Sequence, residues 1–174
     1  MTMLTTPRLT LRPPQDADAA ALVRHLGNLN VSRWTGRIPH PYGPEDAAAF
    51  FAHHRNRPDD ALILFIERAG ELIGGIGIEK GELGYWLAEH HWGKGYGSEA
   101  ARAVTDHAFE ALGRDMMAAS YLSGNAASRR ILIGLGFVET GPGTSFSRAR
   151  QQDVATMKLT LTRAAWQDAK ERRR

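Results

Sequence analysis

Apolar positions recur along the chain in two rhythms, every second residue and every third or fourth, and the switches between them mark the elements. Residues 8–12 alternate, Leu9 and Leu11 against Arg8, Thr10 and Arg12, which predicts a half-exposed strand ended by Pro13 and Pro14. A helical stripe follows, Ala19, Leu22, Val23 and Leu26, with Asp16 as its cap. Residues 27–44 show no period. Pro44 suits the first turn of a second helix, with Glu45 and Asp46 at its positive end and Ala47, Phe50 and Phe51 on its buried face. Residues 62–66 are apolar on both faces, as in a central strand. A hairpin turn at 68–71 leads into 72–78, where Gly74, Gly75 and Gly77 predict something packed close to the backbone. After Lys80 and Gly81 comes a third strand, with Leu83, Tyr85 and Leu87 alternating with Gly84, Trp86 and Ala88.

From Ser98 the period is helical, with Ala101, Val104, Ala108 and Leu112 on one face. Residues 116–122 read as a strand. Asn125 opens a helix bearing Ile131, Leu132 and Leu135, which Gly136 stops. Phe137 and Val138 begin another strand, 140–147 reads as a glycine-rich loop, and 153–161 alternates with Ala155, Met157, Leu159 and Leu161 inside. A short polar helix runs from Ala164. The order βααβββαβαββ predicts an α/β (α+β) fold, a mixed and mainly antiparallel sheet flanked by helices, in one domain over residues 1–174.

Composition narrows the chemistry. The chain has no cysteine, which excludes disulfides, thiolate metal sites and a cysteine nucleophile. The first 25 residues carry no apolar run, so neither a signal peptide nor a membrane span is expected, and the cytoplasm is the expected compartment. The net charge of +3 gathers partly in Lys170, Arg172, Arg173 and Arg174 around Glu171, read as a solvated end. A nucleic-acid-binding module would need an aromatic and basic stripe, and none is present; no nucleic acid or membrane partner is expected. The mild excess still favours an anionic ligand.

The chemistry-bearing stretch lies between the third strand and the helix after it: Trp92, Gly93, Lys94, Gly95, Tyr96, Gly97 and Ser98. Strand, glycine loop and helix start can hold a phosphate, because glycines let the backbone approach closely and the first helical N–H groups lack partners. The same glycines also suit a tight turn. The P-loop pattern is absent, since Gly95 follows Lys94, and the GxGxxG dinucleotide pattern fails because the glycines run GxGxG. Gly95 and Gly97 do fill the last two places of Q/R-x-x-G-x-G/A. Here the sequence resembles the GNAT superfamily of acetyl-CoA-dependent N-acyltransferases. Trp92 departs from the family's Gln or Arg, and the WGKGYG form resembles the RimJ/RimL-like branch. A second motif carries the same resemblance: Asn125, Ala126, Ala127 and Ser128, followed by Gly136 and Phe137, is similar to the family's N-x-x-S…G-F segment.

That resemblance implies acetyl-CoA as donor, no metal, and a primary amine as acceptor: a peptide or protein N-terminus, an amino acid or another small amine. It implies backbone contacts to the pantetheine arm from Trp86, Leu87 and Ala88, with an oxyanion donor near Leu87, and a CoA-lining role for Asn125 and Ser128. Asn125 is equally a plain helix cap, and Lys94 a solvated charge or a phosphate contact. For the acid that protonates the thiolate, Ser128 and Tyr121 stand as alternatives, and Tyr121 also reads as core. Glu79 and Glu82 are candidate bases and also ordinary turn charges. His40 is another candidate base. Trp34, Arg37, His40 and Tyr42 are expected to wall the acceptor, and Arg33 and Arg37 suit an acceptor carboxylate or a plain charged surface. His90 and His91 read as solvent-facing, and a zinc site is rejected because they are not an HxxxH pair. A non-catalytic acyl-CoA-binding regulatory domain is the competing reading. Either a monomer or a homodimer fits, residues 153–161 offering an edge for pairing.

Overall fold

The structure, a computed structural model, describes residues 2–173. Eight strands form one sheet in the order β1-β2-β3-β4-β5-β6-β8-β7. β1 (Leu4–Thr5) and β2 (Thr10–Arg12) precede α1 (Ala19–Leu26), α2 (Leu29–Ser32) and α3 (Pro44–Arg55). The meander β3 (Leu62–Arg68), β4 (Glu71–Glu79) and β5 (Glu82–Leu87) follows. Then come α4 (Tyr96–Glu110), β6 (Met116–Leu122), α5 (Ala126–Leu135), β7 (Val138–Ser147), β8 (Gln152–Thr162) and α6 (Arg163–Glu171). Every neighbouring pair is antiparallel except β5 and β6.

The sheet is covered on both faces. On one, Leu83 packs with Ala100, Ala101, Val104 and Ala108 of α4, Leu132 and Leu135 of α5 and Trp166 of α6. On the other, Phe65 and Leu72 pack with Leu22 and Leu26 of α1, Val31 of α2 and Ala47 and Phe51 of α3. Gly75 of β4 answers to that second layer: a Cβ there would lie 2.5 Å from the Trp86 indole nitrogen, so the strand is thinned to admit that ring.

Several expectations need correction. Asp16 does not cap α1; it lies in the short 3₁₀ turn Asp16–Asp18. Asp18 holds this corner instead, accepting from Gln15 N at 2.9 Å and clamped by Arg12 at 2.8 Å. Leu112 lies beyond the end of α4 and is exposed, because the helix gives out at Glu110. Residues 140–147 are not a loop but most of β7, an edge strand that accommodates Pro142 and a register shift between Glu139 and Gly141. β8 therefore sits between β6 and β7 and offers no free edge over 156–160. Ala155 faces solvent while Val154 and Thr156 are buried, so the two ends of β8 bury opposite faces.

Candidate active site

The sheet opens at one place. β5 pairs with β4 from Glu82 to Leu87, but with β6 only at Glu82–Ala118 and Leu83–Ala119. Beyond Leu83 the two parallel strands part, leaving one edge of β5 without a strand partner. The Ala88 N–H donates to Ile73 O at 2.8 Å, which sets the phase of the antiparallel ladder. Ala88, Trp86 and Gly84 direct their backbone groups to β4, while Leu87 and Tyr85 direct theirs into the opening. The Ala88 carbonyl is also engaged, by His91 N at 3.0 Å. Ala88 and Trp86, both expected at the pantetheine arm, thus turn their backbone groups away from the opening, and Leu87 and Tyr85 carry the available backbone. At Leu87 the carbonyl accepts the Trp92 indole N–H at 2.9 Å, so Trp92 acts as a brace on this edge.

The glycine loop closes the mouth of the opening. Gly93 and Gly95 hold φ of +72° and +81°, in the left-handed region where a side chain is strained. Gly95 is the N-cap of α4, no side chain caps that helix, and the first intrahelical bond reaches only Glu99 N. The N–H groups of Tyr96, Gly97 and Ser98 are left for an anion. A Cβ on Gly97 would sit 3.1 Å from Ile131 and 3.2 Å from Leu87, so glycine there lets α4, α5 and β5 converge. Ser98 lies in the first turn, and Tyr96 is buried, with the Arg8 guanidinium 4.6 Å and that of Arg68 5.3 Å from its ring centre. Arg8 also donates to the Lys94 carbonyl at 2.9 Å and pairs with Glu99 at 2.6 Å. That clamp has no local signature, since Arg8 is remote from the loop in the chain. Lys94 turns its own ammonium onto the His90 carbonyl at 2.9 Å. These features fit a diphosphate: open backbone donors, positive φ and nearby cationic side chains.

Across the opening, Asn125 caps α5 by accepting from Ser128 N at 3.1 Å. Ser128 Oγ lies 2.9 Å from Tyr85 Oη. Burial pushes the Tyr85 phenol up to about 12, with the Ser128 bond acting in the opposite sense, so the phenol keeps its proton at neutral pH. Tyr121 is differently engaged. Its hydroxyl donates to Glu139 at 2.7 Å, and that hydrogen bond, more than its burial, raises its pKa. Arg129 holds the same Glu139 oxygen at 2.7 Å. A pocket of about 280 Å³ lies here, lined by Tyr121, Asn125, Arg129 and Met157.

The sheet face turned toward α3 carries the acid–base candidates. Glu79 pairs with Glu82 across the β4–β5 ladder, and Gly77 with Gly84, so these residues share that face. A Cβ on Gly84 would meet nothing within 4 Å, which leaves space above the strand where the sheet opens. Glu79 binds Arg37 at 2.5 Å and His53 at 2.6 Å through separate oxygens. Burial alone would raise its pKa; the hydrogen bonds from His53 and Arg37 outweigh this and hold it below the ordinary carboxylate value. Glu82 accepts from Ser120 Oγ at 2.9 Å. Trp34 lies over the turn before α5, 3.7 Å from where a Gly124 Cβ would stand, with the guanidinium carbons of Arg33 and Arg150 5.5 and 5.0 Å from its ring centre. Tyr42, expected in the acceptor wall, is a core residue packed with Leu22, Ala47 and Phe51. Burial pushes its phenol up to about 12. His40 is half-buried, and its Nδ1 has no hydrogen-bond partner among the described residues.

Residues 8–138 match the acetyltransferase (GNAT) domain family. The chain belongs to the GNAT acetyltransferase family. It is 31% identical over 150 residues to YoaA of Bacillus subtilis, an uncharacterized N-acetyltransferase, covering 80% of this chain and 84% of that one. Mycobacterium smegmatis RimJ, solved with CoA-disulfide, shares the fold with a TM-score of 0.75 at 23% identity, covering 90% of this chain and 82% of RimJ. The self-immunity acetyltransferase MccE, solved with acetyl-CoA and AMP, does so with a TM-score of 0.75 at 18% identity, covering 90% and 93%.

Within this GNAT fold the structure gathers Leu87, the 92–98 loop, Asn125 and Ser128 around one opening, and Arg37 and Glu79 beside it. Sequence reasoning missed Tyr85 as a partner of Ser128, and it missed His53 as the partner of Glu79. The tyrosine alternates as core, and the histidine lies on α3, 26 residues before Glu79. Nor is His91 solvent-facing: it is 6% exposed. Among the described residues no helix is long and apolar enough to cross a membrane.

Proposed function

We propose that the protein moves the acetyl group of acetyl-CoA to a primary amine by direct attack. The observation that supports this most is the parting of β5 from β6 beside an uncapped, glycine-flanked helix start. The Gly93–Ser98 backbone and Arg8 receive the diphosphate, and the open edge at Tyr85 and Leu87 receives the arm and the developing oxyanion. The amine approaches over Gly84. His53, turned by its bond to Glu79, accepts the ammonium proton; neutral His53 donates from Nε2 to the carboxylate and keeps a lone pair on Nδ1. Attack forms the C–N bond, the C–S bond breaks, and the thiolate takes a proton from Ser128. Tyr85, protonated and bonded to Ser128 Oγ, replaces that proton. His53 passes its proton to solvent, the amide nitrogen sheds its second proton to water, and solvent returns one proton to Tyr85, so that the net reaction releases a single proton.

We place the chain in the RimJ/RimL-like branch on the WGKGYG form of its loop. Arg33 and Arg150 beside Trp34 favour acceptors that carry a carboxylate or acidic residues near the amine. The test is CoA release from acetyl-CoA with a panel of peptide N-termini, amino acids and polyamines, alongside melting temperature with acetyl-CoA alone. Release above hydrolysis with an amine supports transfer. A thermal shift without release for any amine would favour the regulatory-domain reading, and no shift at millimolar acetyl-CoA would overturn both.

A further inference from the structure

On the face of the loop that leads into the glycine turn, two adjacent imidazoles meet a carboxylate from the start of β4. His90 and His91 lie in the short turn Glu89–His91, with ring centres 4.2 Å apart. His90 Nε2 is 3.4 Å and His91 Nε2 is 3.6 Å from one oxygen of Glu71. The second separation is too long for a hydrogen bond, and the His91 side chain is 7% exposed with neither ring nitrogen bonded to any described residue. A buried imidazole with both nitrogens unanswered is rare and calls for a partner. The frame is fixed: Ala88 N donates to Ile73 O at 2.8 Å and His91 N to Ala88 O at 3.0 Å, tying the turn to β4.

We propose, reversing the rejection of zinc that rested on the spacing of His90 and His91 alone, that Glu71, His90 and His91 form a site for a borderline divalent cation, zinc foremost. Zinc binds imidazole nitrogen and carboxylate oxygen at about 2.0–2.2 Å, so two donors in a tetrahedral site stand roughly 3.3–3.5 Å apart. The 3.4 Å separation from His90 to the Glu71 oxygen already has that spacing, the 3.6 Å from His91 lies just beyond it, and all three donor atoms lie within 4.8 Å of one another. Water fills the fourth position. Magnesium and calcium prefer all-oxygen shells and are disfavoured by two imidazoles. The bound ion would join the β3–β4 hairpin to the loop whose His90 carbonyl holds Lys94. The site stands apart from the acetyl-transfer reading, because no donor in it belongs to the proposed chemistry.

The test strips the full chain with a chelator and titrates zinc against a chromogenic competitor, with cobalt(II) as a spectroscopic probe. One equivalent should bind at micromolar or tighter affinity, raise the melting temperature and give visible cobalt bands of tetrahedral type. Glu71→Gln and His90→Ala, both at exposed positions, should each weaken binding at least tenfold; His91→Ala should abolish it. Lowering the pH to 5.5 should release the metal. Absence of binding at 100 micromolar zinc, or binding unchanged in Glu71→Gln and His90→Ala, would overturn the proposal.

Discussion

The donor and acceptor sides of the opening are built from different materials. On the donor side the contacts are backbone groups: the free edge of β5, the positive-φ glycines and the first turn of α4. All lie within residues 82–98, and Arg8 joins them from a remote segment. On the acceptor side the contacts are side chains from distant segments. Arg37 comes from the 33–43 connection, His53 from α3, Glu79 from the end of β4 and Arg150 from the β7–β8 turn. A backbone site tolerates side-chain change but not an added Cβ where φ is positive; a side-chain site fails at single truncations. A common donor can thus be kept while the acceptor changes.

The sharpest way to break this contrast is Gly95→Glu. It strains a φ of +81° and places a carboxylate where a diphosphate would sit. The acetyl-CoA thermal shift should vanish, a loss of about 2.7 kcal/mol of ligand stabilisation at a hundredfold excess over Kd. Next, Glu79→Gln and His53→Gln should each lower kcat by about a hundredfold or more while acetyl-CoA affinity holds, since a placed base contributes on the order of 10²–10⁴. A loss of donor binding in either would erase the distinction between the two sides. Ser128→Ala and Tyr85→Phe should each cost about tenfold in kcat, with the double variant little worse than the singles, as expected of groups acting as one relay.

The smallest effect is on stability against pH. His25 and His91 have folded pKa values pushed below 6.5 by burial, so the unfolded chain binds protons more readily. Stability should be full above about pH 6.5 and fall as pH drops below it. A second decline should begin near pH 4.5 and below, because Glu79 and Glu99 are held under their ordinary value of 4.5 by hydrogen-bonded partners that overcome burial. Denaturant midpoints between pH 3.5 and 8 check both windows.

Much of the fold was legible because period and punctuation agree over the meander and over α4 and α5. Legibility ended where an element depends on its neighbours. β7 is glycine- and proline-rich and becomes a strand only because β8 pairs with it, and β8 exchanges its buried face part-way along. In the site, Gly95, Gly97 and Asn125 could be read from local motifs. Ser128 could be placed at the start of α5, but its bond to Tyr85 crosses 43 residues and has no local signature. The bond between Trp92 and Leu87 is equally silent, since nothing in a strand's sequence shows which carbonyls lack a partner.

The parting of β5 and β6 has a mechanical consequence. With two residue pairs joining them, this is a seam in the sheet, with β1–β5 on one side and β6, β8 and β7 on the other. The seam divides the chain near residues 111–115, so each half-sheet is one continuous segment, with α4 leading from the first into the second. A ligand lodged there would act as a rivet between the two plates. Amide hydrogen exchange should accordingly slow most on both banks of the seam when acetyl-CoA binds, at Tyr85–Leu87 and along the start of α5, with far less change at the outer strands β1 and β7.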